Sequence, residues 1–162
     1  AEKTAAETAA LRERIAVAAE AVVALDSRAQ WQKRVRCPLL GDEGRCEVYD
    51  ARPLACRRAH STSVAVCEEA FAGGVDLLVP SNPSHQENYR LATIGYFEGF
   101  AAQGRPLATY ELFLALHFTL GGPEAVGAAW LAGQDPLVAA QTHDAATIEA
   151  TFGGRASAAG DP

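Results

Sequence analysis

A chain of 162 residues, about half of them apolar and with a formal charge of −6, can bury a core without a metal or disulfides. Its acidity speaks against a general nucleic-acid binder or a membrane-surface binder. The longest stretch free of charged residues, 112–123, is twelve residues, short of the ~20 that a membrane span needs, and no signal-peptide pattern opens the chain.

The first thirty residues read as one helix. Leu11, Ile15, Ala18, Val22, Leu25 and Ala29 recur at steps of three and four and form one stripe. Thr4, followed three residues on by Glu7, is a capping box. Residues 37–67 lose the helical period and are punctuated by Pro38, Gly41, Gly44 and Pro53. Within them Glu47-Val48-Tyr49 reads as a short extended piece and Asp50 as a turn, while Pro53 opens a short helix carrying Cys56 and Arg57. Gly73-Gly74 is a break. Val75 to Val79 is an apolar run that periodicity leaves open between strand and linker.

Ser84 and Glu87 make a second capping box, opening a helix that carries Leu91, Ile94, Phe97 and Ala101 and stops near Gly104 and Pro106. Residues 109–120 are apolar on most sides, which predicts a central buried helix with His117 as a core histidine. Gly121-Gly122 ends it, and Pro123 starts a helix with Val126, Trp130 and Leu131. Asp135-Pro136 repeats the cap-then-proline signal. Ile148 and Phe152 mark a last helix ending at Gly153-Gly154, before a small polar tail, 155–162, expected to be flexible. The predicted fold is mainly α, a helical bundle with an irregular cysteine-rich metal-binding segment after the first helix. Residues 1–154 form a single helical domain and 37–67 are its cysteine segment.

The chain has four cysteines, Cys37, Cys46, Cys56 and Cys67, all inside that irregular segment and separated by eight, nine and ten residues. Four thiolates are one complete ligand set for zinc or a small iron–sulfur cluster, because soft sulfur selects those centres. The competing readings are two disulfides and four inert thiols. The stretch 28–58 carries eight basic residues against four acids, a local +4 in a −6 chain. Such an excess suits a four-thiolate centre of about −2, though it is equally what a solvated charge run looks like.

Cys37-Pro38-Leu39-Leu40, then Cys46-Glu47-Val48-Tyr49, then Arg52-Pro53-Leu54-Ala55-Cys56-Arg57 closely resembles the CPxL … CxIY … RPxxCR signature of the YkgJ-type cysteine-cluster family, a zinc- or iron-chelating domain often labelled an iron–sulfur protein. The resemblance is tight over residues 37–57 and loose to Cys67. It implies Cys37, Cys46 and Cys56 as ligands to zinc or a [4Fe–4S] cluster, with Arg52 and Arg57 donating to cluster sulfurs or nearby carbonyls. Cys67 completes the set by count, and His60 is its rival as fourth ligand. The family carries an upstream C-x-x-C-x-x-C-C run, and no cysteine precedes Cys37 here. Either four thiols suffice, or an upstream run supplies a larger or second site.

Elsewhere the sequence is sparing. His85, His117 and His143 fall on separate predicted helices or their starts. No nucleophile elbow or phosphate-binding glycine loop is present, and the adjacent Glu68 and Glu69 would face apart on a helix. Phe97, Phe100, Phe113, Phe118 and Trp130 read as core. The expected function is that of a cytoplasmic metal-binding protein with a redox or structural role. The alternatives are a metal- or cluster-dependent enzyme acting on a protein or small molecule, and a metal-stapled helical module for a protein partner.

Overall fold

The computed structural model describes residues 3–73 and 77–152. They form eight α-helices and one two-stranded antiparallel sheet, and divide into two compact units. One unit is made by residues 1–23 together with the chain from Ile94 onward; the other is Ala24–Thr93 and contains all four cysteines.

In the first unit, helix α1 (Ala5–Val22) starts with the predicted capping box: the Glu7 amide donates to Thr4 Oγ1 at 3.2 Å and the Thr4 amide donates to Glu7 Oε2 at 2.7 Å. The Thr4 amide, together with the Thr4 hydroxyl donating to the same Oε2 at 2.8 Å, holds the Glu7 carboxyl below its usual range. Ile15, Ala18, Ala19 and Val22 are buried, one stripe at helical spacing. Thr4→Ala removes an N-cap worth about 1 kcal/mol, and a thermal melt should fall by about 2–4 °C. Helix α1 packs on α6 (Leu112–Gly121), which is followed by α7 (Pro123–Leu131). Strands β1 (Thr109–Tyr110) and β2 (Gln141–His143) pair with Thr109 opposite His143, and α8 (Ala145–Phe152) follows with Ile148 buried. Phe100 meets Trp130 edge-on at 5.6 Å, and Arg105 caps the end of α7 through the Trp130 and Leu131 carbonyls.

Several sequence expectations are corrected here. The first thirty residues are two helices. Ala24 takes φ +62°, and Asp26 caps a new helix, α2 (Ser27–Lys33), by accepting from the Ala29 amide at 2.8 Å. A carboxylate that bonds a nearby amide competes with helix continuation and favours a cap. Helix α6 is half-buried rather than central. None of its residues is fully enclosed, and His117 is exposed with its ring against Phe118 at 5.7 Å. Asp135 starts no α-helix: its carboxylate accepts from the Leu137 amide at 2.9 Å and the chain makes a single 3-10 turn before β2. Part of the apolar run 75–79, the break at Gly74, the stop at Gly153-Gly154 and the tail 155–162 lie outside the described residues; Leu77 and Leu78 are exposed.

No single described helix is long and apolar enough to cross a membrane; α6 and α7 reach that length only jointly, across a 105° bend.

The second unit comprises α2, α3 (Leu54–Arg58), α4 (Val64–Gly73) and most of α5 (Pro83–Ala102), strung on irregular chain. Helix α5 is capped not by Ser84 but by Asn82, whose Oδ1 accepts from the Ser84 and His85 amides at 2.9 and 3.2 Å. Pro83 at the first helical position has no amide to satisfy, so the cap falls one residue earlier than the Ser-x-x-Glu pattern suggests. Among the described residues of this unit, Pro38, Leu39 and Ala70 are the buried apolar side chains. That is a thin core for a 70-residue unit, of the kind that small folds supplement with a cross-link or a metal.

Candidate metal centre

The cysteine segment is organised by backbone bonds at short range. After Cys37-Pro38, the Leu40 amide donates to the Cys37 carbonyl at 3.1 Å. A tight reversal follows: the Gly41 amide donates to the Arg45 carbonyl at 2.9 Å and the Gly44 amide to the Gly41 carbonyl at 3.0 Å, with Gly44 at φ +71°. A side chain is strained in that left-handed region, so the turn needs its glycine. The reversal pairs Leu40 with Cys46 as an antiparallel bridge, and the Glu47 amide donates to the Leu39 carbonyl at 2.9 Å. Cys37 and Cys46 thus stand near the open end of one small hairpin. Leu39 is buried beneath it, and Arg36 Nη2 braces it by donating to the Gly41 carbonyl at 2.7 Å.

A 3-10 turn over Tyr49–Ala51 then reverses the chain, and Pro53 leads into α3, which carries Cys56. Arg57 ties this second turn together: Nε donates to the Arg52 carbonyl at 3.0 Å and Nη2 to the Asp50 carbonyl at 2.6 Å. Its guanidinium is spent on backbone, where it fixes the approach to Cys56.

All four cysteines are unbridged. Burial raises the Cys56 thiol above its ordinary value, and the neighbouring Cys37 and Cys46 raise it further, while the Arg52 guanidinium pulls it back. The folding of the two turns therefore brings Cys37 and Cys46 each within electrostatic reach of Cys56. Cys67 is exposed on α4 and is not among the groups that shift Cys56. As the side chains stand, no group of three or more His, Cys, Asp or Glu among the described residues is arranged to hold a metal ion.

Arg52 carries the clearest mark of an anionic neighbour. Its guanidinium lies 3.9 Å from the centre of the exposed Tyr49 ring, while its Nε–H is buried without an acceptor. A buried charged donor left unpaired is costly. A thiolate on Cys56, or a metal-bound sulfur, is the kind of acceptor that would satisfy it. The donor set and this orphaned N–H both fit a thiolate-bound zinc or iron centre.

His60, the rival fourth ligand, is engaged elsewhere. The Asn82 amide donates to its Nε2 at 3.1 Å, and its Nδ1 lies 3.3 Å from the Arg58 carbonyl. The network assigns it the neutral Nδ1–H form, with both nitrogens committed. The ring of His85 stacks edge-on at 4.1 Å, and His85 Nε2 reaches the Arg57 carbonyl at 3.1 Å. The two imidazoles thereby satisfy the last carbonyls of α3, which helix ends leave open. Sequence reasoning missed this clasp. Asn82-Pro83 was its one local signal, and the pairing of His60 with His85 across 25 residues had none.

Residues 2–76 match the CxxCxxCC family, described as "Putative zinc- or iron-chelating domain". The match covers 75 of the chain's 162 residues, just under half. All four cysteines lie within the matched residues, which contain no C-x-x-C-x-x-C-C run. No curated protein and no solved structure matches the chain.

Proposed function

We propose that this protein is a metal-chelating module in which Cys37, Cys46, Cys56 and Cys67 hold one centre, an iron–sulfur cluster or a zinc ion. The single observation that carries the reading is the convergence of Cys37 and Cys46 on Cys56, with the orphaned Arg52 Nε–H beside them. Cys37, Cys46 and Cys56 form the part that the two turns bring near one place, and an ion would draw their sulfurs into its shell. Cys67 is the ligand that closes the shell, and its exposure on α4 leaves it accessible to an incoming ion. Arg52 would donate to sulfur and offset the negative charge, and Arg57 would hold the turn that presents Cys56. With sulfur at all four positions such a site is structural or carries electrons. The thin core of the cysteine unit favours a centre that contributes to folding as well. In this reading the protein works in the cytoplasm, a reducing compartment in which such thiols stay free to bind metal, and the metal-stapled unit would serve a protein partner there.

Anaerobic purification followed by metal analysis and a visible spectrum tests the proposal. We expect one zinc, or iron and sulfide in equal amounts with broad visible absorption, per chain. Fresh anaerobic protein with no metal and four freely titrating thiols would overturn it.

A further inference from the structure

The cysteine unit contains a second feature that the metal reading does not use. An open cavity of about 480 Å³ lies between the end of α3 and the start of α5, walled by Ala55, Arg58, Ala59, His60, Val79, Ser81 and Gln86. Its polar groups have a common character. Arg58 Nε donates to Gln86 Oε1 at 2.9 Å and its guanidinium faces the Tyr89 ring at 5.3 Å. These contacts orient the fork and leave its two terminal amino groups, Nη1 and Nη2, as the donors they do not use. Because Gln86 Oε1 accepts from Arg58, the remaining end of that amide is its NH₂, again a donor. Ser81 adds a hydroxyl. Both nitrogens of His60 are committed, so it offers only the ring. Among the described residues, no carboxylate lines the wall.

The first-turn amides of α5 are taken by Asn82, so an incoming group would be held by side chains rather than by the helix terminus. A cavity that offers donors and a fixed guanidinium, with no anionic group among its described lining residues, selects an acceptor of opposite charge. We propose that this cavity binds the oxyanion group of a small molecule, a phosphate or a carboxylate, with Arg58 as its principal contact and Gln86 and Ser81 completing the cradle. The volume is within the range of small-ligand sites, larger than the oxyanion alone, so the rest of the molecule would lie over Ala55, Ala59 and Val79.

The test is an NMR titration of the full chain with inorganic phosphate, and separately with malonate, at constant ionic strength set by chloride. Saturable shifts are expected at the Arg58 Nε–H, the Gln86 side-chain amide and the Ser81 amide, with a Kd of about 1 mM for the isolated anion. Phosphate and malonate distinguish the two sources of the oxyanion by which one saturates first. Arg58→Gln should weaken binding at least about tenfold. Gln86→Glu keeps an acceptor for Arg58 Nε but places a carboxylate in the wall, and should also abolish binding; it serves where Arg58→Gln fails to fold. Arg12→Gln, on α1, should leave the titration unchanged. Metal content is measured on the same wild-type sample: saturable anion binding without bound metal would count against the metal reading alone, and bound metal without saturable anion binding against this one alone. Linear, unsaturable shifts with both anions, or equal affinity in the wild type and both cavity variants, would overturn the assignment.

Discussion

Cys56→Ser should weaken metal binding by about 100-fold or more, whereas Cys67→Ser should weaken it less. The two thiols differ in setting. Cys56 is partly buried and lies within the field of Cys37 and Cys46, so its loss removes the point on which the two turns converge. Structural zinc sites are worth roughly 10–16 kcal/mol over four ligands, so one internal ligand carries about 3 kcal/mol, a loss of about 100-fold or more in affinity. Cys67 is exposed, and water can take a fourth position on a metal held by three protein ligands. Its replacement should therefore cost less, about 10- to 100-fold.

Metal present at about 1,000 times its Kd stabilises a protein by about 4 kcal/mol, so the wild type should melt well above its chelated form and Cys56→Ser should lose most of that difference. Competition with a chromophoric chelator gives the affinities and thermal melts give the stabilities. A Cys56→Ser protein that binds metal as tightly as the wild type would remove Cys56 from the ligand set. An unaltered Cys67→Ser protein would move the fourth position elsewhere, and His60→Ala would be the next variant to measure, because only release of the Asn82 amide frees its Nε2.

Much of this arrangement was legible in the sequence because the interactions behind it are local. The Thr4–Glu7 capping box, the Gly44 turn and the Pro123 start of α7 each depend on residues within a few positions of one another. The spacing of the cysteines with their proline and arginine neighbours marked the irregular cysteine segment for the same reason: Cys37 and Cys46 are joined by one hairpin, and Cys56 follows on the next turn.

Two kinds of feature were not legible. Competition between neighbouring signals was misjudged, as where Asp26 ends the first stripe and Asn82 displaces Ser84 as the cap of α5. Burial was misjudged where composition is ambiguous. An apolar helix such as α6 can be half-covered when the elements around it are short, and its histidine then faces outward. The clasp of His60 and His85 and the donor-lined cavity beside it depend on contacts across more than twenty residues, which no local pattern encodes.

The electrostatics of the cysteine cluster give the remaining prediction, that pH should move metal affinity and metal-free stability in opposite directions. Binding replaces a thiol proton by metal, so each proton released makes the apparent affinity rise about tenfold per pH unit below the thiol range. If several of the four cysteines bind as thiolates, more than one proton leaves, and the rise between pH 6 and pH 8 should be steeper than for a single thiol. The metal-free protein behaves the other way. The Cys56 thiol is raised above its ordinary 9.0, first by burial and then by its sulfur neighbours, so the folded state holds that proton more tightly than the unfolded chain does.

Stability from this group is thus fully present below pH 9.0 and is lost as pH climbs through the raised folded-state value. Melting temperatures of chelator-treated protein should fall from pH 8.5 to pH 10, and Cys56→Ser should remove this group's share of the fall. Competition titrations over pH 6–8 should show affinity rising at more than tenfold per unit. A metal affinity independent of pH would mean that the bound ion displaces no thiol proton, and sulfur coordination at Cys56 would have to be abandoned.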